Sequence, residues 1–364
     1  MRVGILSPVW FPVPPTGYGG IESVVALLAD GLVEAGHDVT LFASGDSRTK
    51  ARLVSVYAEA PSEKIGLSLY ELHHALSCYE RAAEFDVVND HSGLPAAALG
   101  AGVETPVVHT VHGPLDGEAG SVYEQLARFA PEVGLISLSL NQRKPLPHLP
   151  WIANCPNALD LGAYPIEPRR GDYLLFLGRM SPDKGAHRAI EIAKMADLPL
   201  KMAGKCREPL EKEYFEEHVR PGLGWGIEYL GEVSHEQKVE LLQDARATLF
   251  PIAWEEPFGL VMIESMACGT PVIATRWGAV PEVIEHGRGG LIVDDHLEMV
   301  DAIADADRID PLEARRYVEE RFSAERMVRD YVEAYRVVAG GLMVSLRDPS
   351  LRGENRVSPG APLP

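Results

Sequence analysis

The chain of 364 residues is long enough for two hydrophobic cores, and its 46% hydrophobic content is typical of a globular protein. A net charge of -19 argues against nucleic acid as a partner, because binding to a phosphate backbone requires a basic surface. No apolar run approaches the roughly 20 residues of a membrane span, and the N-terminus lacks the pattern of a signal peptide. The four cysteines are far apart, without the spacing of a zinc site or a disulfide framework. We therefore expect a cytoplasmic protein without stable membrane insertion.

The first half of the chain alternates short apolar runs with helical patterns. Strands are predicted at residues 2–7, 38–43, 85–89, 106–110 and 135–138. Residues 21–35 carry apolar side chains at helical spacing, and Gly36 provides a favourable helix end. Alternation of strands and helices implies a parallel sheet covered by helices.

The second half repeats this organisation after a Pro- and Gly-rich stretch at residues 157–171, which is predicted to be a linker. Strands are predicted at residues 172–177, 200–202, 227–230, 247–251, 271–274 and 290–293, and helices at 185–195, 236–244 and 259–267. Residues 312–339 have the pattern of two charged amphipathic helices, and residues 347–364 the composition of a disordered tail. The predicted fold is α/β, with two doubly wound Rossmann-like domains facing a central cleft, where strand carboxyl ends bind ligand.

The most informative segment, residues 255–264, places a glutamate on each side of a predicted helix start. Glu256 precedes the helix and Glu264 lies inside it, with the backbone N–H groups of Gly259, Leu260 and Val261 between them. Because a helix N-terminus attracts phosphate, the pattern suggests a ligand with a central phosphate and hydroxyls at both ends, such as a nucleotide sugar. The alternative is that both acids merely offset the helix dipole, with Glu264 a solvated residue.

A glycine-rich loop at residues 17–22 follows the first strand and opens the first helix. It lacks the last glycine of a dinucleotide fingerprint, since Glu22 stands there, which disfavours a nicotinamide dehydrogenase. Gly19 and Gly20 still allow the backbone to approach a ligand phosphate closely. The alternative is a flexible turn that leads into a helix cap.

A basic loop follows the first strand of the second half. Arg179 comes directly after this strand, and Lys184 precedes the next helix. Arginine binds phosphate oxygens through planar paired donors and lysine adds a point charge, so the two could neutralise a diphosphate leaving group. Ser181 and Pro182 would equally suit a purely structural helix cap.

Two histidines follow strands of the first half. His112 lies at a strand end beside Gly113 and could bond a sugar hydroxyl in the cleft. His91 has a similar position with weaker support. A structural role is the alternative for both side chains.

Taken in order, these motifs resemble the retaining glycosyltransferases of family 4, which have the two-domain GT-B fold. The resemblance extends to about residue 340. The motifs are residues 19–22, the Thr110-x-His112-Gly113 turn, Gly178-Arg179 with Lys184-Gly185, the Glu256/Glu264 pair, and residues 268–275 continuing to 281–284.

The resemblance implies a role for each matching residue. Arg179, Lys184 and the amides of residues 259–261 would hold the donor diphosphate, with Gly19 and Gly20 closing on it from the first domain. Glu264 would bond the ribose, Glu256 the transferred sugar, and His112 the sugar near its anomeric centre. Around the base would lie the loops that contain Gly204, Lys205 and Val233.

The resemblance also implies domain limits. The first domain would comprise residues 1–160 and about 320–345 and bind the acceptor, and the second, residues 171–315, would bind the donor. Residues 346–364 would form a disordered tail.

The function expected from this resemblance is transfer of a hexose from a UDP- or GDP-sugar to a hydroxyl, without metal or other cofactor. A soluble acceptor is favoured, since the chain has no basic amphipathic helix. Trp10, Phe11, Tyr18, His91 and Asp116 are candidates to line its side of the cleft. Two alternatives stay open: a nucleotide-sugar epimerase of GT-B type, and a non-catalytic nucleotide-sugar binding protein. The sugar, base, acceptor and oligomeric state are not determined by the sequence.

Overall fold

The computed structural model of the protein describes residues 1–167, 169 and 171–340. The predicted tail at residues 346–364 lies outside them. The described chain forms two α/β units, each built on one parallel sheet, which confirms the predicted fold class.

The first unit contains a seven-stranded sheet. Its strands are β1 (Arg2–Leu6), β2 (Asp38–Phe42), β3 (Arg52–Val54), β4 (Val87–Asp90), β5 (Val107–Thr110), β6 (Val133–Ser137) and β7 (Trp151–Asn154). They lie in the order β3-β2-β1-β4-β5-β6-β7, and all are parallel. The helices of this part of the chain are α1 (Gly20–Glu34), α2 (Ser68–Tyr79), α3 (Leu94–Leu99) and α4 (Gly117–Phe129).

The second unit contains a six-stranded sheet. Its strands are β8 (Leu174–Leu177), β9 (Leu200–Ala203), β10 (Ile227–Tyr229), β11 (Ala247–Phe250), β12 (Val272–Thr275) and β13 (Gly290–Val293), in the order β10-β9-β8-β11-β12-β13. The helices are α5 (Ala186–Ala196), α6 (Pro209–Tyr214), α7 (His235–Asp244), α8 (Leu260–Ala267), α9 (Val280–Val283), α10 (Glu298–Ala306) and α11 (Pro311–Arg321).

All six strands of the second unit were predicted from the sequence, whereas β3 and β7 of the first unit were not. Both are edge strands whose residues are only partly buried. The central strands β4 and β5 are buried throughout. A strand covered on both faces reads as a continuous apolar run, and the partly buried β3 and β7 are not covered in this way.

The last described helix, α12 (Ala324–Ala339), packs on α1 and β7 of the first unit. Its Tyr331 and Tyr335 are fully buried in the same core as the side chains of β1 and α1. By contrast, α11 packs on α8 in the second unit and continues beyond the predicted boundary at residue 315. The chain therefore crosses between the units twice.

The two crossings lie side by side. The Leu159 N–H donates to the Phe322 carbonyl at 3.0 Å. Arg326 lies in the first turn of α12, and its guanidinium donates to the carbonyls of Pro156 and Asn157 at 2.7 and 2.9 Å. These bonds join the segment in which the chain leaves the first unit to the segment in which it returns.

Candidate active site

The second unit presents a lysine–glutamate pair to the cleft. Lys184 lies in the loop that follows β8 and Glu256 in the loop that follows β11, and these strands are neighbours in the sheet. The Lys184 ammonium donates to Glu256 Oε2, and the Trp254 ring lies 4.6 Å from the same ammonium. Glu256 is only 7% exposed. The structure therefore brings together two predicted site residues that are 72 positions apart.

A glycine keeps the Glu256 backbone in place. Gly278 has φ +56, and a Cβ built there would lie 2.2 Å from the Glu256 nitrogen. The following residue, Ala279, donates its N–H to the Glu256 carbonyl at 2.8 Å. Any larger residue at position 278 would displace the glutamate loop, because left-handed backbone and close approach both require glycine.

The loops after β8 and β9 form one surface. The Met180 N–H, next to Arg179, donates to the Lys205 carbonyl at 2.9 Å. Gly204 approaches Gly178 so closely that a Cβ at position 204 would lie 1.9 Å from the Gly178 carbonyl oxygen. Arg179 is partly exposed and makes one long contact, at 3.4 Å, with Asp183. Its guanidinium has donors left for an anion.

Lys205 is buried and ion-paired on this surface. It contacts the carboxylates of Glu208 and Glu211. Burial alone would lower the pKa of Lys205, but these acids raise it above its ordinary value, so the side chain is charged. Its ammonium also lies 5.2 Å from the ring of Tyr18, in the glycine-rich loop of the first unit. Lys205 therefore contacts the opposite wall of the cleft.

The loop after β10 joins the same surface. The Gly204 N–H donates to the Gly231 carbonyl at 2.9 Å. Val233, two residues on, is half-buried against the core of the second unit. Gly204, Lys205 and Val233 thus lie in two loops that contact each other.

Helix α8 begins at Leu260, with Gly259 at its N-cap in the left-handed conformation. The first N–H groups of a helix have no partner within that helix. Those of Leu260 and Val261 therefore remain available to an anion. Pro257 lies outside the helix, which begins one residue after the predicted start at residue 259.

Glu264 is buried in the second turn of α8, so the alternative of a solvated residue is wrong. Its Oε1 accepts hydrogen bonds from Tyr164 Oη at 2.7 Å and Lys238 Nζ at 2.6 Å. Burial alone would raise the pKa of this carboxyl, but Lys238 and the hydrogen bonds lower it below its usual value. Glu264 is therefore an ionised acceptor.

Gly19 and Gly20 open helix α1 on the opposite wall. Gly19 is the N-cap with φ +153, and a Cβ at Gly20 would lie 3.2 Å from the Leu260 side chain. The glycine-rich loop therefore approaches the start of α8. Glu22, on the first turn of α1, is 4% exposed, and burial raises its pKa to about 7.

The histidines lie at the carboxyl ends of β4 and β5. His91 Nδ1 lies 3.0 Å from His112 Nε2, and Asn89 Nδ2 contacts His91 Nε2. Burial lowers the pKa of His112 to about 3 and that of His91 well below its ordinary value, so both rings are neutral. The structure thus links His112 directly to His91 and, through His91, to Asn89. Asn89 is not among the site residues predicted from the sequence.

A segment after β6 connects the two walls. Glu282, on α9 of the second unit, accepts from the backbone N–H groups of Leu140 and Asn141 at 2.7 and 2.6 Å. Ser139 Oγ donates to the Pro257 carbonyl at 2.8 Å, next to Glu256. The Gln142 amide donates to the carbonyls on either side of His112 at 2.9 and 2.8 Å. One short segment therefore positions both the glutamate loop and the histidine loop.

Two parallel-sheet units that face each other, with a cationic loop and a helix N-terminus at the carboxyl ends of the second sheet, are the architecture of GT-B glycosyltransferases. Residues 166–322 match the family described as "Glycosyl transferases group 1", and residues 18–149 match "Glycosyltransferase Family 4". The chain belongs to the family 4 glycosyltransferases, and it is a glycosyltransferase of GT-B type.

Individual relatives differ in what they act on. The chain is 29% identical to the phosphatidyl-myo-inositol mannosyltransferase of Mycolicibacterium smegmatis, covering 80% of this chain and 81% of that protein. It is 27% identical to the glycogen synthase of Mycobacterium tuberculosis, over 80% and 82% of the two chains. The crystal structure of AviGT4, a glycosyltransferase involved in avilamycin A biosynthesis, superposes with a TM-score of 0.67 at 28% identity, covering 94% of this chain and 98% of that one.

No helix among the described residues is both long enough and apolar enough to cross a bilayer.

Proposed function

We propose that the protein transfers a hexosyl group from a nucleoside diphosphate sugar to an acceptor hydroxyl, with retention of the anomeric configuration. The observation that carries this proposal is the wall of the second unit, where Lys184 contacts the buried Glu256 and the first amides of α8 precede the buried Glu264. Arg179 lies in the same loop as Lys184. Cations and amides suit a diphosphate, and carboxylates suit the hydroxyls of the two sugars. The second unit would then bind the donor, and the first unit with α12 the acceptor.

The proposed donor pose assigns each end of this wall. Glu264, held by Lys238 and Tyr164, keeps Oε2 for the ribose hydroxyls. Glu256 accepts from hydroxyls of the transferred hexose. Lys184, which pairs with Glu256 in the free protein, shifts toward the diphosphate when the donor binds.

The proposed reaction passes through an oxocarbenium-like hexosyl group. The bond between the anomeric carbon and the diphosphate oxygen breaks, and the acceptor oxygen bonds to the same face of the sugar. The departing diphosphate takes the acceptor proton. Arg179 and Lys184 stabilise the charge that develops on the leaving oxygen, which is the main source of rate enhancement. A retaining glycosidase places two carboxyls about 5 Å apart and uses one as nucleophile. In the proposed pose Glu256 and Glu264 lie at different ends of the donor, so that scheme is not part of the proposal.

The proposal includes metal independence, because two cationic side chains lie where a leaving diphosphate needs charge compensation. Activity is expected to survive an excess of EDTA over trace metal. Loss of activity that returns on adding Mg²⁺ or Mn²⁺ would overturn this part of the proposal.

The acceptor proposed is a soluble glycan or small molecule. The net charge of -19 disfavours docking on an anionic membrane. The names of the two relatives differ on this point. One contains phosphatidyl-myo-inositol, which is a lipid, and the other contains glycogen, which is a polysaccharide. An acceptor screen should therefore compare a soluble oligosaccharide with phosphatidylinositol vesicles.

The decisive experiment starts from a thermal-shift panel of UDP, GDP, ADP and their hexose conjugates, since a ligand of the folded state raises Tm by mass action. The stabilising donor is then incubated with and without acceptor, and the anomeric proton of the product is followed by NMR. Transfer with retention supports the proposal. A new nucleotide sugar formed without acceptor would identify an epimerase. Binding without turnover would identify a non-catalytic protein. The names of the relatives support a transferase over these alternatives.

A further inference from the structure

A directed series of hydrogen bonds runs through the first unit and ends at His112. Asn89 and Thr110 lie on the neighbouring strands β4 and β5, and His91 and His112 follow the ends of these strands. Side chains two residues apart along a strand share a face of the sheet, which brings these four residues together. Thr110 Oγ1 lies 3.2 Å from Asn89 Oδ1, and Tyr331 Oη of α12 lies 3.4 Å from the same hydroxyl. Asn89, His91, Thr110 and Tyr331 are at most 1% exposed.

Each member of the series fixes the proton of the next. Thr110 donates its hydroxyl hydrogen to Asn89 Oδ1, so the Asn89 amide donates to His91 Nε2. A neutral imidazole has one donor and one acceptor nitrogen. His91, which accepts at Nε2, therefore carries its proton on Nδ1 and donates to His112 Nε2.

The same rule then decides the state of His112. Because His112 accepts at Nε2, its own proton must lie on Nδ1. No group among the described residues hydrogen-bonds to this nitrogen, and the side chain is partly exposed. Burial of both rings keeps the series neutral, and the carbonyls held by Gln142 keep the His112 backbone in place.

We propose that Asn89 and His91 are positioning residues that fix His112 as a neutral Nδ1–H donor toward the cleft. The group that His112 meets on the transferred sugar is therefore an acceptor oxygen, and His112 takes no proton during the reaction. The tautomer assignment depends on the hydrogen-bond geometry and the burial of the two rings, whereas its effect on rate depends on the function proposed above.

The tautomer is tested directly by two-bond ¹H–¹⁵N correlation spectra of the full-length protein labelled at histidine nitrogens, with His112 assigned by its loss in His112→Asn. The expected pattern is that of the Nδ1–H form. His91→Gln retains an amide donor for His112 Nε2 and keeps this pattern, whereas His91→Leu removes the donor and gives a mixture of tautomers. An Nε2–H pattern in the wild-type protein would overturn the proposal.

Kinetics provide the second measurement. His91→Leu should lower kcat/KM about tenfold, the value of roughly one neutral hydrogen bond, while His91→Gln should stay within about threefold of the wild type. His112→Asn, whose amide can donate from a similar position, should retain more activity than His112→Leu. Equal losses of kcat/KM in His91→Gln and His91→Leu, with unchanged Tm, would show that the His91 ring acts through packing and not through its hydrogen bond to His112. If no transferase activity is found at all, the spectra still decide the tautomer.

Discussion

The two walls of the cleft differ in charge: one carries ionised side chains and the other carries neutral groups. The wall of the second unit carries ionised side chains in contact, Lys184 with Glu256 and Lys238 with Glu264. The wall of the first unit carries neutral groups: two uncharged imidazoles, an amide and glycines. A nucleotide sugar has a charged diphosphate and an uncharged hexose, so the difference between the walls matches the difference within the proposed donor.

The largest effect is expected from the charged wall. Lys184→Ala should lower kcat/KM by about 10³-fold, because a preorganised group that stabilises a leaving-group charge is worth that much. The loss should be far larger than for any single change in the histidine series. Initial rates with the donor found in the binding panel provide the measurement.

The control for Lys184 is Arg220→Ala, which removes an exposed cation of the same unit that pairs with Glu216. This variant should keep wild-type activity. A loss below tenfold in Lys184→Ala, with an unchanged circular dichroism spectrum, would contradict the assignment of charge stabilisation to this wall.

The pair of Lys238 and Glu264 is tested by a stability measurement. Lys238→Met leaves the buried Glu264 carboxylate without its cation and should lower the free energy of unfolding by about 2 kcal/mol, less than for a fully buried pair because Lys238 is partly exposed. Urea unfolding provides the value. The double variant Lys238→Met/Glu264→Gln should recover most of the loss, and a double variant as unstable as the single one would argue against a paired role.

Glu22 adds a buried titratable carboxyl to the first wall. Burial raises its pKa from 4.5 to about 7, so the folded state keeps the proton that the unfolded state releases. Below pH 4.5 both states are protonated and stability is unaffected; the destabilisation develops between pH 4.5 and 7 and is complete above. Glu22→Gln should therefore gain stability over the wild type as pH rises, by at most about 3 kcal/mol at pH 8.

The measurement for Glu22 is urea unfolding at pH 5 and pH 8. Glu34→Gln, an exposed carboxyl at the other end of α1, serves as the control and should show no such gain. A stability difference between Glu22→Gln and wild type that is the same at both pH values would rule out the shifted titration.

The smallest effect is expected where the walls join. Glu282→Gln replaces a carboxylate that accepts from two backbone N–H groups of the first unit. It should lower kcat/KM about tenfold, since charge-assisted hydrogen bonds contribute about 1.5–3 kcal/mol each and an amide keeps only part of that. The control Glu285→Gln, three residues on, should leave kcat/KM unchanged. Equal kcat/KM values in the two variants would show that the contact between Glu282 and the first unit does not position the walls.

The sequence carries a stronger signal for one wall than for the other. Arg179 after an apolar strand, Lys184 before the next helix, and the spacing of Glu256 and Glu264 about a helix start are the patterns on which the predicted site residues of the second unit rest. The partners of Glu264 were not predictable, because Tyr164 and Lys238 lie 100 and 26 positions away and reach it only through tertiary packing. The neutral wall had a weaker signal, the Asn-x-His and Thr-x-His patterns at the ends of two neighbouring strands. Only the strand register turns these patterns into one network.

The return of α12 to the first unit has a consequence for how the protein is made. The side chains of Tyr331, Tyr335 and Val338 complete the core that begins with Val3 and Ile5. During translation, the half that leaves the ribosome first lacks its last packing layer until residue 338 has emerged. The second unit is by then fully synthesised. A fragment ending near residue 160 would expose the apolar face on which α12 packs. Adding residues 323–340 as a separate peptide should cover this face again.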